Sequence, residues 1–89
     1  MSIGLAISKI AEYTGQIAAT TVVIGIEEQN LLLATQSKND QQITDVQQKL
    51  TQYKTLLSLL NQFLEFWKDV IKQTLAILKM FNELATGSR

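Results

Sequence analysis

Cysteine, histidine and proline are all missing from these 89 residues, and glycine occurs only four times. Without cysteine no disulfide staples the chain, and its redox compartment leaves no trace in the sequence. The loss of cysteine and histidine together removes the usual transition-metal ligands and the commonest general base. Carboxylates, hydroxyls and lysines are the remaining candidates for chemistry, and no cofactor is expected. Without proline, nothing ends a helix by deleting a backbone donor. Charge is also scarce: 18% of residues are charged, and eight basic side chains balance eight acidic ones. The basic stripe that tracks a phosphate backbone is absent, so nucleic acid is not an expected partner.

What the chain has instead is apolar residues, at 46% of the total. That is enough for a packed core and too much for a disordered tail. At this length the chain is one domain at most. Its opening, "MSIGLAISKI", lacks the charged start and small-residue cleavage site of a signal peptide. The longest uncharged stretch, Tyr13 to Ile26, contains Thr14, Gln16, Thr20 and Thr21. A bilayer-spanning helix needs about 20 predominantly apolar residues, so no transmembrane helix is expected.

The strongest periodic signal lies in the second half. Val46, Leu50, Tyr53, Leu57, Leu60, Leu64, Trp67, Ile71, Leu78 and Phe81 fall on alternating steps of three and four, with Thr74 the one polar member. This is the seam of a heptad pattern, sustained for about five heptads. Leu56, Phe63, Val70, Ile77 and Leu84, each seven apart, form a third apolar row, and Leu59, Phe66 and Met80 a partial fourth. A two-stranded coiled coil uses two rows. The surplus predicts that the helix is contacted from more than one direction, with part of its surface facing other chains, a membrane or a ligand.

The first half carries a weaker three-four pattern through Ile3, Ile7, Ile10, Thr14, Ile17, Thr21, Ile24 and Leu31. Gly4, Gly15 and Gly25 each weaken a helix by roughly 1 kcal/mol relative to alanine, and a break near Gly15 is expected. "ATTVVIGI" has the β-branched content of a strand. The continuing spacing, and the lack of a second strand to pair with, favour helix. "QSKNDQ" is the turn signal, with Asp40 placed to cap the next helix and Gly87 to stop it. These readings predict a helix over about 3–35, a turn over 36–41 and a longer helix over about 42–85.

No constellation of polar residues argues for catalysis. Glu65, Lys68, Asp69 and Lys72 share one helix face, where helix-spaced ion pairs on a solvated surface are the plainer reading. Glu27 and Glu28 are adjacent, so their carboxylates diverge on a helix, and they read as a solvated turn rather than a cation site. Tyr53, Phe63, Phe66, Trp67 and Phe81 lack the interleaved arginines of a nucleic-acid stacking surface. Lys54, Lys68, Lys72 and Lys79 give the second helix some character of a membrane-surface helix, diluted by Glu65, Asp69 and Glu83.

From Asp45 onward the chain resembles the needle-filament subunits of bacterial type III secretion systems. The resemblance rests on "DVQQKLTQY", Asp45 to Tyr53, and on "FWKDVIKQTLAILK", Phe66 to Lys79. Members of that family similarly place a Gln-x-Lys-Leu-x-x-Tyr-like segment early in the second helix. A bulky residue followed by Lys-Asp comes about fourteen residues after the tyrosine, as Trp67, Lys68 and Asp69 follow Tyr53 here. "SKND" sits where the family's interhelical turn should be. The chain departs from the pattern in its proline-free turn and in the continuation "MFNELATGSR".

The resemblance implies a short helical hairpin that polymerises into a hollow helical tube. It also implies that Lys68 and Asp69 take part in polar contacts between subunits and that Gln73 approaches the lumen. The combined expectation is an all-α, two-helix hairpin with a longer C-terminal helix, assembling through coiled-coil-like packing into a helical oligomer of many copies. It would be a secreted, non-enzymatic needle or rod subunit at the cell surface, exported without a cleavable signal, with other secretion-apparatus proteins as further partners. The expected assembly residues are Tyr53, Leu57, Leu60, Phe63, Leu64, Trp67, Val70, Ile71, Ile77 and Leu78, with Lys68 and Asp69 from the resemblance. The alternatives are a closed helical-bundle chaperone or adaptor and a membrane-active amphipathic protein.

Overall fold

The computed structural model describes residues 3–87. Two α-helices account for nearly all of them: α1, Ile3–Gln36, and α2, Asp40–Gly87. Among the described residues there is no strand. α1 runs unbroken through Gly15 and Gly25, so the expected break does not occur. "ATTVVIGI" is helical throughout. Threonine hydroxyls find acceptors inside the helix that carries them: Thr21 donates to the Ile17 carbonyl at 2.8 Å, Thr35 to Leu31 and Thr74 to Val70. This back-bonding satisfies a polar β-branched side chain without a neighbouring strand.

The turn is shorter than expected and rests on one residue at each end. The Asn39 N–H donates to the Ala34 carbonyl (3.1 Å) and the Lys38 N–H to the Thr35 carbonyl (3.2 Å). This is the Schellman pattern that closes a helix. It needs a left-handed residue, and Lys38 supplies it with φ 56°. Asn39 then opens α2, its Oδ1 accepting from the Gln42 N–H at 3.1 Å. The helix cap is therefore Asn39 rather than the expected Asp40. Asp40 lies inside the first turn, where its negative charge favours the helix N-terminus.

With so short a connection α2 runs back along α1, an arrangement consistent with a helical hairpin. Ile24 packs against Val46 and Leu50, with Leu31, Tyr53 and Leu57 around them. Farther from the turn, Tyr13 meets Phe63 with ring centroids 5.6 Å apart. On α2 the covered row is the expected seam, from Val46 through Leu50, Tyr53, Leu57 and Leu60 to a half-buried Leu64, Trp67 and Ile71.

On α1 the expected row requires correction. Ile7, Thr14 and Thr21 are exposed, and Ala6, Tyr13 and Thr20 take their places between Ile3, Ile10, Ile17 and Ile24. Both rows step by three and four and share every seventh residue. They differ in which side of that shared line meets the partner. Apolarity favoured Ile7, whereas packing placed the small Ala6, Thr20 and Ala34 toward α2. Glu27 belongs to this covered row: it is half-buried, with one carboxylate oxygen buried and unbonded. Only Glu28 of the pair is solvated as expected.

By length and composition alone α1 is long and apolar enough to cross a membrane, a property it shares with core helices of soluble proteins.

Candidate assembly surface

The helix pair is a rod of 77 × 16 × 15 Å with a radius of gyration of 21.2 Å. A compact chain of this length has a radius of gyration of about 12 Å. The accessible surface is 6604 Å², against about 5,200 Å² for a typical folded monomer of this mass. Among the described residues no large side chain is fully buried, and sixteen large apolar ones are exposed. A two-helix unit has only one internal contact line, so each helix keeps most of its circumference in water.

On α2 the exposed residues form a pattern. Leu56, Leu59, Phe63, Phe66, Val70, Ile77, Met80 and Leu84 step by three and four, with Gln73 the one polar member. Apart from the half-buried Val70 and the polar Gln73, these positions are 42–66% exposed. This second seam runs beside the first, about 100° round the helix. One seam faces α1 and the other faces outward. The sequence reading treated the outer positions as two extra rows and did not join them. The joining signal was the same three-four alternation, begun at Leu56.

The expected assembly residues divide between these faces. Tyr53, Leu57, Leu60, Leu64, Trp67 and Ile71 lie on the seam turned to α1. Phe63 and Ile77 lie on the open seam, and Val70, on the same line, is half-buried. Leu78 follows the first seam but is 53% exposed, beyond the start of α1. Phe66 stands edge-on to Trp67, with centroids 5.2 Å apart and an interplanar angle of 89°. Adjacent rings thus serve the two faces.

Lys68 and Asp69 are exposed and paired locally: Lys68 Nζ lies 3.5 Å from Glu65 Oε1, and Asp69 Oδ2 accepts from the Gln73 amide at 3.2 Å. Exposed helical pairs of this kind contribute only a few tenths of a kcal/mol, so they remain easily redirected to another chain. Among the described residues no group of three or more histidine, cysteine, aspartate or glutamate side chains is placed to hold a metal ion.

α1 adds a face of a different kind. Ala11, Gly15, Ala18, Ala19 and Gly25 are exposed, and a Cβ built on Gly15 or Gly25 meets nothing within 4 Å. Leu5, Val22, Ile26, Leu32 and Leu33 are exposed around these small residues. α1 therefore has two apolar faces, one turned to α2 and one open, with the linked polar side chains Lys9, Glu12 and Gln16 on its surface between them. Compared with family models, with curated proteins and with solved structures, the chain matches none.

Proposed function

We propose that this chain is a structural, self-assembling subunit without enzymatic activity, similar to a needle or rod subunit of a type III secretion apparatus. The observation that carries the reading is the open seam on α2, Leu56 to Leu84, parallel to the one α1 covers. A heptad seam has the geometry of a helix–helix contact. Burying the exposed half of each large side chain on it would contribute about 1 kcal/mol. Contacts between unlike faces generate a helical filament where the rotation between copies does not close into a ring.

In this reading the helix pair packs in a coiled-coil-like way, and copies associate laterally through Phe63, Phe66, Val70 and Ile77. Lys68 and Asp69 exchange their local partners for ones on a neighbouring copy, and Gln73 lies toward a lumen. The resemblance beginning at Asp45 adds the export apparatus, with its other components as partners and the cell surface as destination.

Electron microscopy of the purified chain tests the reading. Long filaments are expected, and Leu59→Glu and Phe66→Glu should abolish them while helicity by circular dichroism remains. A monodisperse, non-associating chain at high concentration would overturn it. Discrete particles would instead identify a closed bundle of the chaperone or adaptor kind.

One observation favours a second reading, that of a membrane-active protein: α1 is long and apolar enough to cross a bilayer, and little of its apolar segment is buried against α2. Co-sedimentation with liposomes and release of an entrapped dye, with no filaments in plain buffer, would replace the first reading with this one.

A further inference from the structure

The open seam on α2 has a matching stretch on α1. Gly15, Ala19, Val22, Ile26, Gln29 and Leu33 are all exposed and step by four and three along the side of α1 turned away from α2. Leu59, Phe63, Phe66, Val70, Gln73 and Ile77 take the same steps in the same order on the seam of α2. Laid side by side in the same direction, from Gly15 against Leu59 to Leu33 against Ile77, every position of one stretch meets a position of the other. Each stretch has one polar member, and in this alignment Gln29 falls against Gln73. Gly15 and Ala19, the smallest residues of the first stretch, fall against Leu59 and Phe63. A Cβ built on Gly15 meets nothing within 4 Å, so the space above it is open to a large side chain of another copy.

Both stretches are internal to the chain. Leu59, Phe63 and Phe66 lie alongside α1 of their own copy and are open because they face outward.

We infer that α1 of one copy packs against the α2 seam of a second copy and parallel to it, with Gln29 against Gln73. This rests on the self-assembly reading and names the face that lies opposite its seam. It gives Gln73 a partner on the neighbouring copy in place of a lumen. Three features select a second copy as occupant.

The first is the pair of glutamines. A polar side chain inside an apolar helix contact goes unsatisfied unless the opposing helix supplies a partner, and such a residue fixes the register. A side-chain amide both donates and accepts, so two of them satisfy each other. Gln73 is the one polar member of its seam, so every other alignment in phase sets Gln29 against an apolar side chain and leaves both amides unpaired. An antiparallel alignment that joins the two glutamines puts the flanking positions out of phase.

The second feature is the flank. In the parallel pair Asp69 comes beside Asn30 of the other copy. Its carboxylate, which accepts from Gln73 of its own helix, thereby gains a second amide donor. The third feature is area. Apart from the half-buried Val70, the large apolar members of the two stretches are 42–63% exposed. Burying them with the two glutamines removes on the order of 1,000 Å² from water, which is where specific interfaces begin. One copy contributes α1 and the other α2, so the contact is heterologous and each copy keeps its other face for the next. Because α1 and α2 run in opposite directions within a copy, successive copies alternate in direction.

Counting along the helix pair from Tyr13 against Phe63, Gln29 comes level with about Gln47 of its own copy, so Gln29 and Gln73 of one chain are about 39 Å apart. A link between them forms only between copies, and the chain has no cysteine of its own to interfere. A Gln29→Cys, Gln73→Cys double variant, mildly oxidised after assembly, should therefore give a ladder of disulfide-linked chains, whereas neither single variant should. Leu33→Cys with Ile77→Cys should give the same ladder, which requires the parallel direction. Gln29→Glu should weaken association at least tenfold by sedimentation with unchanged helicity, and Gln29→Glu with Gln73→Lys in the same chain should restore it.

Filaments in which residue 29 never links to residue 73, or links as readily to Phe63→Cys, would overturn this register and leave the self-assembly reading standing. Failure of Gln73→Lys to rescue Gln29→Glu would also overturn the pairing. No association under any condition would remove both.

Discussion

Tyr13 and Phe63 face each other across the helix pair with ring centroids 5.6 Å apart and planes inclined at 38°. Phe63 is nonetheless 47% exposed, so one ring edge holds the two helices in register and the rest of it faces outward. Tilted aromatic pairs contribute about 0.5–1.5 kcal/mol beyond area burial. Phe63→Ala should therefore lower the stability of the helix pair by about 1–2 kcal/mol, because half of the ring was never buried. A chemical denaturation series on Phe63→Ala and Tyr13→Ala checks this, and the double variant should cost less than the sum of the two singles. Strict additivity would mean that the rings do not interact in solution.

The inner and outer seams should respond differently to charge. Leu64 and Trp67 lie on the side turned to α1, so Leu64→Asp should destabilise the helix pair itself by about 2–4 kcal/mol. Phe66→Glu and Leu59→Glu lie on the open side, should leave thermal unfolding of the monomer within about 0.5 kcal/mol, and should abolish assembly. Assembly and folding can thus be separated on one helix. If Phe66→Glu unfolds the chain as Leu64→Asp does, the two faces have been wrongly divided.

Much of this architecture was legible in the sequence, and the failures have physical reasons. The α2 seam was readable because its positions are large and apolar, and only one residue set satisfies the spacing from Val46 to Phe81. On α1 the spacing fitted two rows, and the covered one contains Ala6, Thr20 and Glu27. A small or polar residue gains its place from the close approach of the partner backbone, which composition does not encode. The unbroken path through Gly15 was missed because propensity is a weak prior beside tertiary packing. Asp40 and Asn39 are both good caps, and only the backbone path past Lys38 selects between them. The outer seam was visible as rows, but its openness depends on where α1 lies.

The turn makes a sharp prediction. Lys38 is held in the left-handed region at φ 56°, where a residue with a Cβ is strained by roughly 1 kcal/mol. Lys38→Gly should stabilise the chain by up to about 1 kcal/mol. For a domain of this size that raises the melting temperature by roughly 4–8 °C. Asn39→Ala removes the acceptor for the Gln42 N–H and should cost about 1 kcal/mol. Calorimetry of both variants checks the pair. A loss of stability in Lys38→Gly would show that the left-handed turn is not the conformation in solution.

Glu27 offers a test of the covered face of α1. One of its carboxylate oxygens is buried with no hydrogen-bond partner, although the residue lies on a row otherwise filled by Ile17, Thr20, Ile24 and Leu31. An unsatisfied buried acceptor costs about 1–3 kcal/mol, and replacing it with an apolar group of similar shape removes that cost. Glu27→Met should therefore stabilise the helix pair by about 1–2 kcal/mol, whereas Glu28→Met, on the solvated side, should change stability by less than about 0.5 kcal/mol. Urea denaturation of the two variants side by side gives the comparison. If both positions behave alike, Glu27 does not face α2, and the α1 row runs through Ile7 and Thr21 after all.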